Sequence, residues 1–199
     1  MNVRMGLHAV VAHDDEVGPD RVGLFVDRVR SPGWATVPSI PTGRPWRSFV
    51  ADYVVEELTA EETFPLRLEV LRRGTPSRAV AFAEDDLPGT VHLGIRDGDG
   101  VVAVSTWIPS TWSSGPDLAE PAVQLRGMAT AAHLQGRGLG GIVLDAGRIR
   151  AEGSAPVVWA RARDTALVFY ARHGFTIDGD GFVDEHTAIP HHLIIRRRR

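Results

Sequence analysis

The sequence predicts a chain of the α/β (α+β) class, in which flanking helices pack on one mixed central sheet. Two observations carry this prediction. Short β-branched runs alternate with stretches of helical periodicity, and turn residues separate these stretches. The composition agrees, because 43% of the 199 residues are hydrophobic and 24% are charged, as in ordinary globular proteins. The length favours one domain with an appendage over two full domains.

The appendage is predicted at residues 1–46, which differ in composition from the rest. They hold five of the thirteen prolines, and the run SPGWATVPSIPTGRPW cannot form a regular helix or ladder. We expect an N-terminal extension that is poorly ordered or loosely docked, with a short helix or strand at 22–29. A start codon placed upstream of the native one is the alternative explanation. The folded domain is predicted at 47–199.

The domain is predicted to begin with a strand, FVADYVVEEL, and a helix. Thr59-Ala-Glu-Glu62 has the form of a capping box at the start of a helix. Pro65 lies awkwardly inside that helix, so Thr63 is an alternative start. Gly74 is the expected end. The predicted apolar face consists of Phe64, Leu68 and Leu71.

A β-hairpin is predicted next, because two β-branched runs flank Asp97-Gly98-Asp99-Gly100. Residues 108–121, rich in serine and proline, are expected to be a loop, and AVQLRGMAT a strand. The pattern then predicts a helix from about Gly138 to Gly153, the strand APVVWARA and a helix with Asp164 as N-cap. FTID, GFV and HHLII are expected to be closing strands. The predicted order is β-α-β-β-β-α-β-α-β-β.

Charge and composition exclude several classes of function. The net charge of −3 gives no global basic field for nucleic acid or membrane, and the four terminal arginines are interpreted as a solvated tail. The chain has no cysteine, which excludes disulfides and thiolate metal sites. No apolar run reaches the ~20 residues that span a bilayer. We therefore expect a cytoplasmic protein that binds neither nucleic acid nor membrane.

The segment HLQGRGLGG, residues 133–141, is the strongest functional signal, with four glycines between a predicted strand and a predicted helix. Glycines there let backbone N–H groups reach a ligand, and a helix N-terminus favours an anion such as a pyrophosphate. A turn without ligand is one alternative. A dinucleotide site is another, because Gly136, Gly138 and Gly141 match G-x-G-x-x-G. Residues 160–163 read Ala-Arg-Ala-Arg where that site needs an acid, which leaves only an NADP variant.

Two motifs together resemble a known family. Residues 135–140, Gln-Gly-Arg-Gly-Leu-Gly, match the acyl-CoA pyrophosphate signature of the GCN5-related N-acetyltransferases (GNAT), and ALVFYARHGF at 166–175 is similar to that family's second signature. The resemblance covers about residues 49–199. LRLEVLRRG, LRGMAT and IPHH resemble a bacterial subgroup similar to ElaA. The resemblance implies a mostly antiparallel sheet, an N-acetyltransferase domain at 47–199 and an acetyl-CoA-dependent enzyme without metal.

The same resemblance implies the site residues. Tyr170 would protonate the leaving thiolate as general acid, and the Met128 amide would bind the oxyanion. Arg163 stands where the family often has Asn, so only a contact with the coenzyme is expected of it. The residues expected to bind acetyl-CoA are Met128, Thr130, Gln135, Gly136, Arg137, Gly138, Leu139, Gly140, Gly141 and Arg163.

Three further questions stay open in the sequence. The general base is not identified: a water chain is one candidate, and the side-chain candidates are Glu120, His92, His133, Glu185, His191 and His192. The acceptor is a small-molecule amine or a protein amino group, and a homodimer is compatible with the sequence. Residues 84–86, Glu-Asp-Asp, are interpreted as a solvated acidic loop. A CoA-binding regulatory module and an NADP-dependent oxidoreductase are the alternative functions.

Overall fold

The computed structural model describes residues 7–11, 24–26, 53–113 and 119–198 of the chain. The predicted fold class is confirmed, because the described strands form one mixed sheet on which helices pack. The strands are β1 (Leu7–Val11), β2 (Leu24–Val26), β3 (Val54–Leu58), β4 (Val91–Asp97), β5 (Gly100–Ser113), β6 (Ala119–Thr130), β7 (Val157–Arg163), β8 (Thr176–Asp184) and β9 (Ile189–Arg197). The helices are α1 (Ala60–Leu66), α2 (Leu139–Glu152) and α3 (Leu167–Arg172).

The order of elements from β3 onward is the predicted one. Along the sheet the strands follow the order β2-β1-β3-β4-β5-β6-β7-β9-β8. Neighbouring strands are antiparallel except β6 and β7, which run parallel and are joined through α2. The predicted hairpin is confirmed, since β4 and β5 pair from Val91↔Trp107 to Asp97↔Gly100, and Gly98 takes the positive φ of 59° in the turn.

Helix α1 begins at the predicted capping box. The Thr59 side chain accepts a hydrogen bond from the Glu62 amide, and the Glu62 carboxylate accepts one from the Thr59 amide at 2.8 Å. The alternative start at Thr63 is wrong, because the helix begins at Ala60 and contains Pro65. Two residues after Pro65, which has no N–H to donate, the chain continues as a π-helical turn over Arg67–Leu71.

The buried face of α1 differs from the predicted one. Phe64, Leu68 and Leu71 are only half-buried. The side chains that the helix buries are Ala60, Thr63 and Leu66, followed by Arg67 in the π-helical turn. The physical reason lies in tertiary structure. The Asp85 carboxylate, 18 positions further along the chain, pairs with Arg67 and stabilises this arginine on the buried face.

Residues 108–113 and 119–121 are strand and not the predicted loop, and residues 114–118 lie outside the described residues. Strand β5 continues to Ser113 and β6 starts at Ala119, with Trp112 opposite Glu120 in the register. Trp112 is buried and packs against Trp159 with ring centroids 5.6 Å apart. Packing of that indole across β6 onto Trp159 of β7 outweighs the local preference of serine and proline for turns.

The main hydrophobic core lies between α2 and the sheet. Leu139, Val143 and Leu144 of α2 are fully buried there. A Cβ at Gly147 would lie 2.0 Å from the Trp107 indole of β5, so only glycine permits this close approach of helix and sheet. The packing fixes the position of α2, and therefore of its N-terminus, relative to β5 and β6.

The predicted extension, residues 1–46, falls largely outside the described residues. Within it the structure describes only β1 and β2. Backbone pairing joins Leu7 to Val55 and Ala9 to Val26, and β2 lies within the predicted helix or strand at 22–29. The prediction that the extension is poorly ordered or loosely docked, and the boundary at 46/47, stay predictions.

Candidate active site

The glycine segment lies between β6 and α2, where the sequence predicts it. Strand β6 ends at Thr130, a 3₁₀ turn follows, and Gly138 is the N-cap of α2 without any side-chain cap. Gly136 and Gly138 have positive φ angles of 78° and 86°, and a Cβ added to either would meet no atom within 4 Å. These two positions therefore combine a left-handed backbone with open space at the N-terminus of a 14-residue helix, a geometry that suits a phosphate.

The other glycines of the segment have a packing role. A Cβ at Gly140 would lie 3.3 Å from Thr130 Oγ1 and 3.6 Å from Met128 Cε, and one at Gly141 would lie 3.2 Å from the His173 ring. These small residues let the first turn of α2 lie against β6 and the segment after α3.

The remaining residues of the segment divide into exposed and buried ones. Leu139 is buried in the core. Gln135 donates from Nε2 to the Thr130 carbonyl oxygen at 3.0 Å, and Arg137 is exposed. The predicted coenzyme residues 135–141, with Met128 and Thr130, therefore form one contiguous region.

Strands β6 and β7 separate beside this region. Their parallel pairing ends at Leu125 and Ala160, although β6 continues along β5 and β7 continues along β9. A bulge with Gly127 at a φ of 61° bends β6 just beyond the last pair. Between the separated ends lies a cavity of about 190 Å³, with Met128 and Tyr170 in its lining.

Tyr170 is a buried titratable group of this cavity. Its hydroxyl lies 3.5 Å from Met128 Sδ, and its ring packs edge-on against Phe169 and Phe175. Burial raises the pKa of Tyr170 above its ordinary value. The phenol therefore keeps its proton at neutral pH and is able to donate it. Met128 connects the two regions, since its Cε would also lie 3.6 Å from a Cβ at Gly140 of the glycine segment.

Comparisons with known proteins agree with this geometry. No protein-family model matches the chain. The uncharacterised N-acetyltransferase YitI of Bacillus subtilis is 28% identical over 130 residues, which are 64% of this chain and 85% of YitI. The crystal structure of Escherichia coli ElaA superimposes with a TM-score of 0.59 at 16% identity, over 73% of this chain and 99% of ElaA. An acyl-CoA N-acyltransferase of Pseudomonas aeruginosa gives 0.58 at 20% identity, over 73% and 98%. The two structural likenesses show the fold.

The chain thus has the fold of these acyltransferase structures, and its sequence is similar to that of an N-acetyltransferase. The described part of the chain has no helix long and apolar enough to cross a membrane. Nor do the described residues contain any group of three or more His, Asp or Glu side chains that could hold a metal ion.

Among the candidate bases in the sequence, His191 alone lines the cavity within the described residues. His191 is buried, and its Nδ1 lies 2.8 Å from the Ile189 carbonyl oxygen. A carbonyl oxygen only accepts, so Nδ1 donates the proton and Nε2 of the neutral ring keeps its lone pair. His192 instead contacts the Asp164 carboxylate at 2.8 Å. Asp164 is not the predicted N-cap of α3, because Ala166 takes that position and no side chain caps the helix.

Arg163 lines the same cavity. It is half-buried, and Nη2 donates to the Leu71 carbonyl oxygen. None of residues 135–141 lines this cavity. The contact between Arg163 and the coenzyme therefore stays a prediction.

A buried ionic cluster lies behind the bulge of β6, and the sequence analysis did not find it. Arg67, with a side chain 1% exposed, forms two hydrogen bonds to Asp85, at 2.7 and 3.0 Å, and a third to Thr106. His92 completes the cluster through the Thr106 hydroxyl at 2.9 Å. The interpretation of residues 84–86 as a solvated loop is therefore wrong for Asp85, which is buried.

The Arg67 cluster supports the bulge directly. A Cβ at Gly127 would lie 2.9 Å from Arg67 Nε, a buried nitrogen without a hydrogen-bond partner within the described residues. The Phe82 ring covers Arg67 on one side and Arg126 on the other, with guanidinium carbons 4.4 and 4.0 Å from its centroid. A signal for this cluster is present in the sequence: Ala60, Thr63 and Arg67 are spaced i, i+3, i+7, which places an arginine on a buried helical face.

Proposed function

We propose that the chain transfers the acetyl group of acetyl-CoA to a primary amine by direct attack of the amine on the thioester. The observation that carries this proposal is the position of Met128. Its Cε would lie 3.6 Å from a Cβ at Gly140 of the glycine segment, and its Sδ lies 3.5 Å from the Tyr170 hydroxyl. The phosphate region and the cavity with a protonated tyrosine therefore meet at one residue. We place the enzyme in the cytoplasm.

The glycine segment would hold the coenzyme. Gly136 and Gly138 leave open the space that a Cβ would occupy, so their backbone N–H groups are free of steric cover. We assign the pyrophosphate to these amides and to that of Gly140, with Gln135 and Arg137 beside them. The separated edge of β6 at Met128 and Thr130 offers backbone groups to the pantetheine arm, because its pairing with β7 has ended.

The residues of the cavity divide the proton transfers between them. The amine nitrogen attacks the carbonyl carbon of the thioester, a C–N bond forms, and the carbonyl oxygen becomes an oxyanion that the Met128 amide would stabilise. His191 Nε2 would take the proton that the amine loses. As the C–S bond breaks, Tyr170 would donate its proton to the departing thiolate.

Thermal melting with added ligands tests the coenzyme assignment first. Acetyl-CoA at about 100 times its Kd stabilises the native state by ~2.7 kcal/mol, which corresponds to a Tm increase of about 5–10 °C for a domain of this size. We expect such an increase with acetyl-CoA and CoA, and none with NADPH. An increase with NADPH alone would favour the oxidoreductase.

Transfer itself is tested by thiol release from acetyl-CoA in a screen of amines. We expect at least one amine to accelerate release over the rate without acceptor, and mass spectrometry to find it acetylated. Coenzyme binding with no acetylated product from either small amines or lysine peptides would favour a CoA-binding regulatory module.

A further inference from the structure

The cavity above Tyr170 carries an excess of positive charge that the coenzyme assignment does not explain. Four arginines and one aspartate are among its lining side chains, namely Arg72, Arg126, Arg161, Arg163 and Asp184. Arg126 pairs with Glu84 at 2.8 Å, and Arg161 lies 3.9 Å from Asp184. Two of the four positive charges are thus balanced by carboxylates, and two are not.

The unbalanced pair is Arg72 and Arg163. Arg72 Nε donates to the Ala79 carbonyl oxygen at 2.6 Å, and Arg163 Nη2 donates to the Leu71 carbonyl oxygen. Neither has a carboxylate partner within the described residues. Each guanidinium has five N–H groups, so after one donated bond four remain on each.

Holding these two cations together has an energetic cost. Both are half-buried. Burial lowers the pKa of both arginines, and the charge of Arg163 lowers the pKa of Arg72 further, while the charge of Asp184 acts in the opposite direction on both. An arginine nevertheless stays protonated, so Asp184 offsets the repulsion only in part until an anion enters. Paired guanidiniums with free N–H groups facing a cavity are typical of sites for carboxylates and phosphates.

We propose that Arg72 and Arg163 bind an anionic group of the acceptor, so that the substrate is a small amine carrying a carboxylate or a phosphate. This inference rests on the proposed acetyltransferase function and identifies its acceptor class. The cavity, at about 190 Å³, is smaller than the ~300–1,000 Å³ of sites for drug-sized ligands, which fits a small acceptor.

The position of Arg163 connects the anion site to the proposed base. In the register of β7 and β9, Arg163 stands opposite His191. An acceptor held by its anion at Arg163 therefore has its amine within the part of the cavity that His191 and Tyr170 line. The coenzyme phosphates are the other anions to consider, but residues 135–141, which we assign to them, do not line this cavity.

Matched amines test the inference on the unmodified protein. Each amino acid is compared with its amide, and phosphoethanolamine with ethanolamine, by thiol release from acetyl-CoA. We expect kcat/KM to be at least about tenfold higher for the anionic member of one series, since a charge-assisted hydrogen bond contributes on that order. The series that shows the preference identifies carboxylate or phosphate. Equal rates for the neutral and anionic members would overturn the inference.

Variants of Arg72 and Arg163 then test whether these two arginines bind the anionic group of the acceptor. Arg72→Gln and Arg163→Gln should each raise KM for the anionic acceptor about 10–100-fold. Arg72→Gln should also leave kcat/KM for the neutral partner nearly unchanged and keep the Kd of CoA in calorimetry. Arg172→Gln, at an exposed arginine of α3 outside the cavity, is the matched control and should change none of these values. Weaker CoA binding in the cavity variants, with the anionic preference retained, would assign the arginines to the coenzyme and overturn the inference.

A competition experiment on the wild-type protein tests the inference even if a variant does not fold. Inorganic phosphate and acetate are titrated into the wild-type reaction, and we expect the better of the two to compete with the acceptor and not with acetyl-CoA. Competition with acetyl-CoA alone contradicts the inference. If acetyl-CoA binds but no anionic amine is acetylated or raises the Tm of the CoA complex, the inference fails while the coenzyme assignment stands. Absence of coenzyme binding would instead refute the proposed function.

Discussion

Replacement of Gly138 by alanine separates the two tasks of the glycine segment, backbone conformation and ligand access. Gly138 has a φ of 86° and a ψ of −10°, and an added Cβ would meet no protein atom within 4 Å. The cost to stability is therefore only the cost of an L-residue in the left-handed region, ~1–2 kcal/mol. For a domain of this size the expected decrease in Tm is about 2–8 °C.

The cost to coenzyme binding should be larger, because the new methyl group occupies the space assigned to the pyrophosphate. Loss of one amide hydrogen bond to a charged group corresponds to ~1.5–3 kcal/mol. We therefore expect the Kd of CoA in titration calorimetry to increase about 10–100-fold. Titration on a sample with a cooperative melt ensures that only folded protein is compared.

Gly179→Ala is the matched control for backbone strain. Gly179 lies in β8, has a φ of 75° and also has open space around its missing Cβ. It should lose a similar amount of stability and bind CoA as the parent chain does. If Gly138→Ala loses the same stability as the control but keeps its affinity for CoA, the phosphates do not bind at this helix N-terminus and the assignment is refuted.

Three further predictions concern single groups. Tyr170→Phe removes only the hydroxyl, so it should keep coenzyme affinity and decrease kcat by up to ~10²–10⁴-fold with an identified acceptor. If kcat is unchanged while chemistry is rate-limiting, Tyr170 is a packing residue. Asp85→Ala leaves the buried Arg67 guanidinium unpaired and should decrease the unfolding free energy in urea by ~3–5 kcal/mol, whereas Arg67→Met with Asp85→Leu should recover most of it. A loss below about 1 kcal/mol for the single variant would show that water reaches the guanidinium. Burial opposes ionisation of Asp145, but its hydrogen bond to His173 and the nearby charges lower its pKa below the ordinary value. The ionised Asp145 carboxylate thus stabilises the folded state above about pH 4, and this stabilisation is lost as the pH falls through the lowered pKa. Asp145→Asn should therefore decrease the unfolding free energy at pH 7 and match the parent chain near pH 2. A difference in unfolding free energy that is independent of pH contradicts this prediction.

The acceptor class has a consequence for the order of events in the cavity. Only the neutral amine has the lone pair that attacks the thioester, so the ammonium form must first lose a proton. A nearby positive charge favours the neutral amine over the ammonium form. Arg163, beside His191 in the sheet register, would therefore assist deprotonation as well as binding. The Arg163→Gln variant should accordingly shift the acidic limb of the kcat–pH profile to higher pH, while Arg172→Gln should leave it in place.

The sequence by itself determined the features that depend on neighbouring residues. The Thr59 capping box, the turn at Gly98 and the glycine segment between a strand and a helix are all present as the patterns predict. Each of these features is set by the backbone angles and hydrogen bonds of a few consecutive residues, which residue type restricts directly. The order of strands and helices follows from the same local information, because hydrophobic periodicity is a property of a short window.

Tertiary structure alone decided the features whose partners lie far apart in the chain. The buried face of α1 depends on the pair of Arg67 with Asp85, and the continuation of β5 past residue 108 depends on Trp112 meeting Trp159. The unbalanced charge of the cavity is of the same kind, since Arg163 reaches Leu71 across 92 positions of sequence. The free energy of such contacts comes from burial and from pairing between distant side chains, and this outweighs the local preferences that a sequence pattern records.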